Sequence, residues 1–196
     1  MTAASRLFLI AAVIALSPWG SITAAETGFT LTNLMESLRE VKSASARFTE
    51  RKYLHMLTQT VESSGTLSYR APDAMEKITL SPASESILLE GNLLTGKRPN
   101  NETYKLNLAD HPEVAGLVEG IRSTLAGDLP VLLRYYAVEA KGTQDAWELI
   151  LTPSDAAVRR MVAGIRIAGS KHELRRIEVT ETDGDRSEMT VTYQAP

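Results

Sequence analysis

Histidine, aspartate, serine and arginine are the residue types through which this 196-residue chain could do chemistry, because it contains no cysteine. That absence excludes thiol catalysis, thiolate-held metals and disulfides. The three histidines, His55, His111 and His172, lie far apart, each near a turn or the end of an element. None has a second histidine or a carboxylate at the spacing of a zinc motif such as H-E-x-x-H, so solvated surface histidines are expected. Asp183 and Asp185 in "ETDGDRSE" suggest a calcium loop but lack its remaining ligands, and a hairpin turn explains them. Ser68 sits on an alternating stretch with no G-x-S-x-G elbow around it, and the chain has no glycine-rich phosphate loop. Trp147 and the Tyr135-Tyr136 pair read as core or cavity wall. The expectation is a binding protein rather than an enzyme, with no catalytic residues and no metal.

The address of the chain is written at its start. Arg6 precedes the apolar "LFLIAAVIAL", then Pro18 and the small residues of "TAAE". This is the layout of a cleavable secretory signal peptide, and the run is too short for a membrane span of ~20 residues. Residues 1–25 are therefore expected to be removed near Ala25, leaving residues 26–196 as one exported domain without stable membrane insertion. The formal net charge is −3, with lysine and arginine scattered rather than clustered, so nucleic acid is not an expected partner. A cysteine-free exported domain has to be stable through its core alone.

The elements that must position these residues follow from periodicity. Leu31, Leu34, Met35, Leu38 and Val41 recur at helical spacing, with Thr30 or Thr32 as cap. Alternating stretches then predict strands over 47–56, 61–69, 74–80, 86–90 and 104–108, with Gly91-Asn92 and Gly96 as turns. "DHPEVAGLVEGIRSTLAG" predicts a helix with a capping box from Asp110 to Glu113, Pro112 in the first turn and Gly127 just past the end. A second short helix is expected over 129–136. Strands are expected again over 137–140, 147–152, 165–168, 174–180 and 187–193, with a short helix over 155–162 capped by Ser154 and a last hairpin turn at Asp183-Gly184. The sum is an α+β domain: a curved antiparallel sheet, one face covered by the only long apolar helical stripes in the chain.

Several pieces, in this order, carry a family resemblance: "ARFTERKYL" with an F-x-E strand at Phe48, "GTLSYRAPD" from Gly65 to Asp73 as G-x-L-x-x-R-x-P-D, "LVEGIRSTLAGDL", and "LTP" at Leu151 to Pro153. Together they resemble the LolA-like family, periplasmic carriers of outer-membrane lipoproteins, over nearly the whole exported chain. The resemblance implies an incomplete antiparallel β-barrel under a helical lid, with an apolar cavity for acyl chains. It implies periplasmic localisation, acylated lipoprotein or another lipidic cargo, an inner-membrane exporter complex that loads it, an acceptor on the outer-membrane side and no cofactor. A monomer is expected. The alternative within the same fold is a periplasmic regulatory module that senses lipidic molecules and signals through a protein partner.

Alternation proposes the cavity wall: Phe48, Leu67, Tyr69, Ile87, Leu89, Trp147, Leu149, Leu151, Ile165 and Ile167. Helical spacing proposes the lid: Val114, Leu117, Val118, Ile121 and Leu125. For any one of these, plain core is an equal reading; the group supports a cavity. In the family an arginine immediately before the proline holds the lid closed. Here Ala71 has that place and the arginine stands one residue earlier, at Arg70, which turns it to the other face of a strand. Either a bulge restores its direction or Arg70 is a rim charge and the latch is lacking. That departure counts against lipoprotein as the cargo and fits relatives in which a LolA-like protein is paired with a lipid or polyene exporter.

Overall fold

The structure, a computed structural model, describes residues 28–57 and 59–193. The expected signal peptide, with its cleavage point and the boundary at 26, lies outside the described residues. After α1 (Leu31–Arg39) come β1 (Ser43–Tyr53), β2 (Val61–Arg70), β3 (Ala74–Ser81), β4 (Glu85–Glu90), β5 (Leu93–Lys97) and β6 (Thr103–Asn107). Then follow α2 (Pro112–Ala126), α3 (Leu129–Tyr135), β7 (Tyr136–Thr143), β8 (Ala146–Pro153), β9 (Val162–Ser170), β10 (Glu173–Glu181) and β11 (Arg186–Tyr193). No described helix is long and apolar enough to cross a membrane.

The strands form one eleven-stranded antiparallel sheet in the order β6-β5-β4-β3-β2-β1-β11-β10-β9-β8-β7. Every neighbour is a hairpin partner except β1 and β11, which join the two ends of the chain. The sheet is not closed: its free edges are β6 and β7. The connection between those edges is the segment that holds α2 and α3, so the covering helices are carried across the gap by the chain itself. Register then builds rows on the covered face. Tyr193 pairs with Ala46, Ala46 with Leu67, Leu67 with Lys77, Lys77 with Ile87, and Ile87 with Gly96.

Most expected elements are present, and the departures have local causes. Thr30, rather than Thr32, caps α1, its hydroxyl accepting from Asn33 N at 3.1 Å. The capping box at α2 is not made. The Asn107 side chain first caps a 3-10 turn over Leu108–Asp110, accepting from Ala109 N at 3.1 Å, and this delays the helix to Pro112. Gly96 does not turn the chain; it lies within β5 beneath the Tyr104 ring, which leaves no room for a Cβ. The expected helix over 155–162 is only a 3-10 turn, Val158–Arg160, and Asp155 rather than Ser154 holds its entry, Oδ1 accepting from Ala157 N at 2.7 Å and Val158 N at 3.1 Å. Val162 already belongs to β9.

One continuous core joins α1 and α3 to β7–β11. Leu34, Met35, Leu38 and Leu132 meet Tyr136, Trp147, Leu149, Leu151, Ile165 and Ile167, all within a few percent of complete burial. Helix α2 docks on this half through its small residues. Gly116 admits the Val158 side chain, and Gly120 lies against Tyr136 and Ile165, approaches that a Cβ would block or crowd. Tyr136 Oη donates to Gly116 O at 3.0 Å, and Arg39 Nη2 donates to Gly127 O at 2.9 Å, where α2 ends in a left-handed glycine with φ 62°.

Candidate functional site

The other half of the sheet is not filled. Between α2 and the covered face of β1–β5, β10 and β11 lies an apolar cavity of about 210 Å³. Its roof is Val118, Ile121 and Leu125 of α2. Its walls are Ala44 and Ala46 of β1, Leu67 and Tyr69 of β2, Met75 and Lys77 of β3, Ile87 and Leu89 of β4, and Leu94 of β5. Leu174, Ile177, Met189, Val191 and Tyr193 complete it from the side of the solid core. A larger groove, about 580 Å³, is lined by polar and charged residues, among them Arg51, Glu62, Arg176 and Glu188. Those four carry ion pairs with each other, Arg51 with Glu62 at 2.9 Å and Arg176 with Glu188 at 3.6 Å. Such exposed matched pairs belong to a solvated face, and the smaller apolar space is the better ligand site.

The residues singled out by alternation divide between the two halves. Leu67, Tyr69, Ile87 and Leu89 line the cavity, as do Val118, Ile121 and Leu125. Trp147, Leu149, Leu151, Ile165 and Ile167 are in the solid core instead. Phe48 is fully buried outside the cavity lining, its ring against Gly65 and 4.8 Å from Lys77 Nζ. Leu117 packs on the core, and Val114 is half-buried near the start of α2. The division follows the path of α2, whose glycines fix its inner side on β7–β9 while its other flank spans the empty region. Met75, Ile177, Met189 and Val191 were not singled out, although their alternation is as clear as that of Ile165 and Ile167. Only their position in the sheet separates them.

Polar groups on the cavity wall are few and specific. Lys77 Nζ lies 2.5 Å from Glu50 Oε2, and the same oxygen accepts from Ser63 Oγ at 3.3 Å. Glu50 is 5 % exposed, so this is a nearly buried pair whose charges cancel. Tyr69 is 6 % exposed, and its hydroxyl has no hydrogen-bond partner among the described residues. Burial, and secondarily the charge of Asp73, push the Tyr69 phenol above its ordinary value.

Arg70 takes no part in this. The register from Ser43–Arg70 to Arg70–Ala74 is regular, and the irregularity in the β2–β3 pairing lies at the other end, at Ser64/Gly65. Arg70 is turned to the opposite face from Tyr69, 74 % exposed, with Glu90 at 3.8 Å. The tie between helix and hollow half comes from the lid. The Arg122 guanidinium donates to Gly91 O in the β4–β5 turn and pairs with Glu119, which also accepts from Ser123 Oγ at 3.2 Å. An arginine between apolar lid positions was readable as a rim residue at most; its partner is a carbonyl 31 residues away, which no local pattern reveals.

The histidine and aspartates also meet unexpectedly. His55, Asp183 and Asp185 lie within 4.8 Å of one another. Asp185 Oδ1 accepts from His55 N at 2.9 Å and contacts His55 Nδ1 at 2.8 Å, and Asp183 Oδ1 accepts from Asp185 N at 3.0 Å. These bonds hold the Asp185 carboxyl below its ordinary value and clasp two hairpin turns together. The hairpin expected at Asp183-Gly184 is present, with Gly184 at φ 98°.

Residues 23–195 match the model of the outer membrane lipoprotein carrier protein LolA-like family, and the chain belongs to that family. No curated protein sequence matches it. Among solved structures, a LolA superfamily protein from Nitrosomonas europaea is 14% identical over 86% of this chain and 95% of its own, with a TM-score of 0.43. An outer membrane lipoprotein-sorting protein domain from Vibrio parahaemolyticus is 11% identical over 87% of this chain and 93% of its own, TM-score 0.43. A chain of the MucA/MucB complex of Pseudomonas aeruginosa is 12% identical over 85% of this chain and 58% of its own, TM-score 0.43.

Proposed function

We propose that this member of the LolA-like family is a periplasmic carrier that takes the acyl chains of a lipoprotein or another lipidic molecule into the cavity beneath α2. In this reading it is loaded by an inner-membrane exporter and unloads at an acceptor on the outer-membrane side. The observation that carries the proposal is the asymmetry of the covered face, solid over β7–β11 and hollow and apolar over β1–β5. An acyl chain transferred to water loses roughly 0.8 kcal/mol per CH₂, so transit across an aqueous space needs a wall of this kind.

The cavity of about 210 Å³ is smaller than the ~300–1,000 Å³ of ordinary ligand sites, so a long chain enters only if the lid shifts. The lid is suited to that. Its hold on the solid half is extensive, whereas on the hollow half Arg122 ties it to the Gly91 carbonyl. A lid that fills part of its own cavity when empty also keeps binding reversible, since cargo must displace those contacts.

Native mass spectrometry of protein recovered from the periplasm of its own host tests the proposal. The expected result is a bound acylated species that transfers to acceptor vesicles. Protein that carries no acylated species and accepts none from donor vesicles would overturn it, and a protein partner recovered in place of lipid would favour the regulatory alternative.

A further inference from the structure

The cavity wall carries a hydrogen-bond donor that the fold itself does not use. Tyr69 is 6 % exposed, forms part of the wall, and its hydroxyl has no partner among the described residues. A buried hydroxyl without a partner bears its whole desolvation cost, and a phenylalanine would supply the same ring to the same wall without it. Tyr136 shows the ordinary solution in this molecule: buried equally well, it donates to Gly116 O at 3.0 Å. The lid offers Tyr69 nothing, since the α2 residues that face the cavity are Val118, Ile121 and Leu125.

From this we infer that the cavity receives the carbonyl oxygen of the ester or amide that joins an acyl chain to its head group, and that the Tyr69 hydroxyl donates to it. The inference rests on the carrier reading and adds the chemistry of the cargo's linkage. The charges around the cavity select an uncharged acceptor. Lys77 is the only cation among the described residues of the lining, and Glu50 neutralises it at 2.5 Å. Glu76 lies between the inward-facing Met75 and Lys77 and pairs with Ser68, so its side chain is on the opposite face of the sheet. With the one ammonium already matched, a free carboxylate head finds no counter-charge in this apolar lining, whereas a carbonyl accepts a hydrogen bond without adding charge.

Displacement of the apolar fluorophore N-phenyl-1-naphthylamine tests the inference, using methyl palmitate, palmitate at pH 8 and hexadecane delivered from cyclodextrin. For the natural chain the ester should bind more tightly than either palmitate or hexadecane. In Tyr69→Phe the ester should lose about fivefold in affinity, the worth of one neutral hydrogen bond, while hexadecane and the fluorophore bind as before. The variant's Tm should be unchanged or higher, because only an unsatisfied hydroxyl has gone. A triacylated lipopeptide and a phosphatidylethanolamine of matched chain length separate the two sources of acyl carbonyls. The Tyr69→Phe loss with either supports the inference and identifies the source; with neither, it is overturned. Unchanged ester affinity in Tyr69→Phe, tighter binding of palmitate than of its ester, or a lowered Tm with equal loss of all ligands also overturns it. Failure of every ligand to displace the fluorophore from the natural chain is a different result, and removes the carrier reading itself.

Discussion

Tyr136 and Tyr69 are buried almost equally, at 1 % and 6 % exposed, yet they stand in two different kinds of protein interior. Tyr136 belongs to the half of the sheet where α1, α3 and the glycine side of α2 meet β7–β11, and its hydroxyl is spoken for. Tyr69 belongs to the half over β1–β5, where the same sheet meets only the flank of α2 and leaves an apolar space. Both halves alternate, and both turn leucine, isoleucine and methionine inward. The difference lies in how much covers them. Interiors are normally packed like organic crystals, so a region that falls short of this has given up dispersion contacts. A carrier benefits from confining that shortfall to one half, because the solid half supplies the stability and the hollow half supplies the room.

The strongest test of this contrast is a pair of leucine truncations read by urea unfolding. Leu149→Ala, in the solid half, should cost about 2–5 kcal/mol, because a fully buried side chain leaves a new void. Leu67→Ala should cost clearly less, since it enlarges a space already present. Equal losses would break the comparison.

Alkaline stability sharpens it next. Burial raises the Tyr136 phenol well above the ordinary value of ~10. Below that pH both folded and unfolded states are protonated and the stability is complete. As pH rises beyond it, the unfolded chain ionises first, so stability falls until the folded-state value is reached. Tyr136→Phe should flatten that limb, at the expense of the bond to Gly116, in denaturant melts between pH 9 and 11.

A smaller effect is expected at the boundary between the halves. Arg122→Gln removes the charge pair with Glu119 and the reach to Gly91 O, groups only 12% and 13% exposed at the pair. It should cost about 1–2 kcal/mol and speed uptake of an apolar fluorophore in stopped-flow mixing. If uptake is unchanged, the lid is held from the solid half alone. Smallest of all, Arg70→Ala should change stability by less than ~0.5 kcal/mol and leave uptake as it is, because its ion pair with Glu90 is long and solvated.

Much of this molecule was legible in the residues. All the strands but β5, the two covering helices, the glycine stop at Gly127 and the turn at Asp183-Gly184 follow from periodicity and from where glycine and proline stand. Four wall positions named from alternation and three lid positions named from helical spacing face the cavity. The misreadings came where a local signal was outranked by a partner elsewhere: Gly96 reads as a turn until Tyr104 is laid upon it, and Asp110 reads as a cap until Asn107 takes the preceding turn. The clasp of His55 on Asp185 and the reach of Arg122 to Gly91 join residues 130 and 31 positions apart, and spacing says nothing about such pairs.

By itself the sequence determined which side chains face inward, because a strand's side chains alternate with period two and a helix's repeat every 3.6 residues. It left the direction of Arg70 open, since a bulge before Pro72 would have turned it; the regular pairing of β2 at Arg70 decided that it faces away from Tyr69. Only the tertiary structure decided which inward-facing residues meet a neighbour and which meet a space. That depends on the pairing of β1 with β11 and on Gly116 and Gly120, which let α2 settle against Val158, Tyr136 and Ile165 and so stand clear of Leu67, Tyr69 and Ile87. Facing inward is a local property of the backbone, whereas being packed is a property of whatever lies opposite.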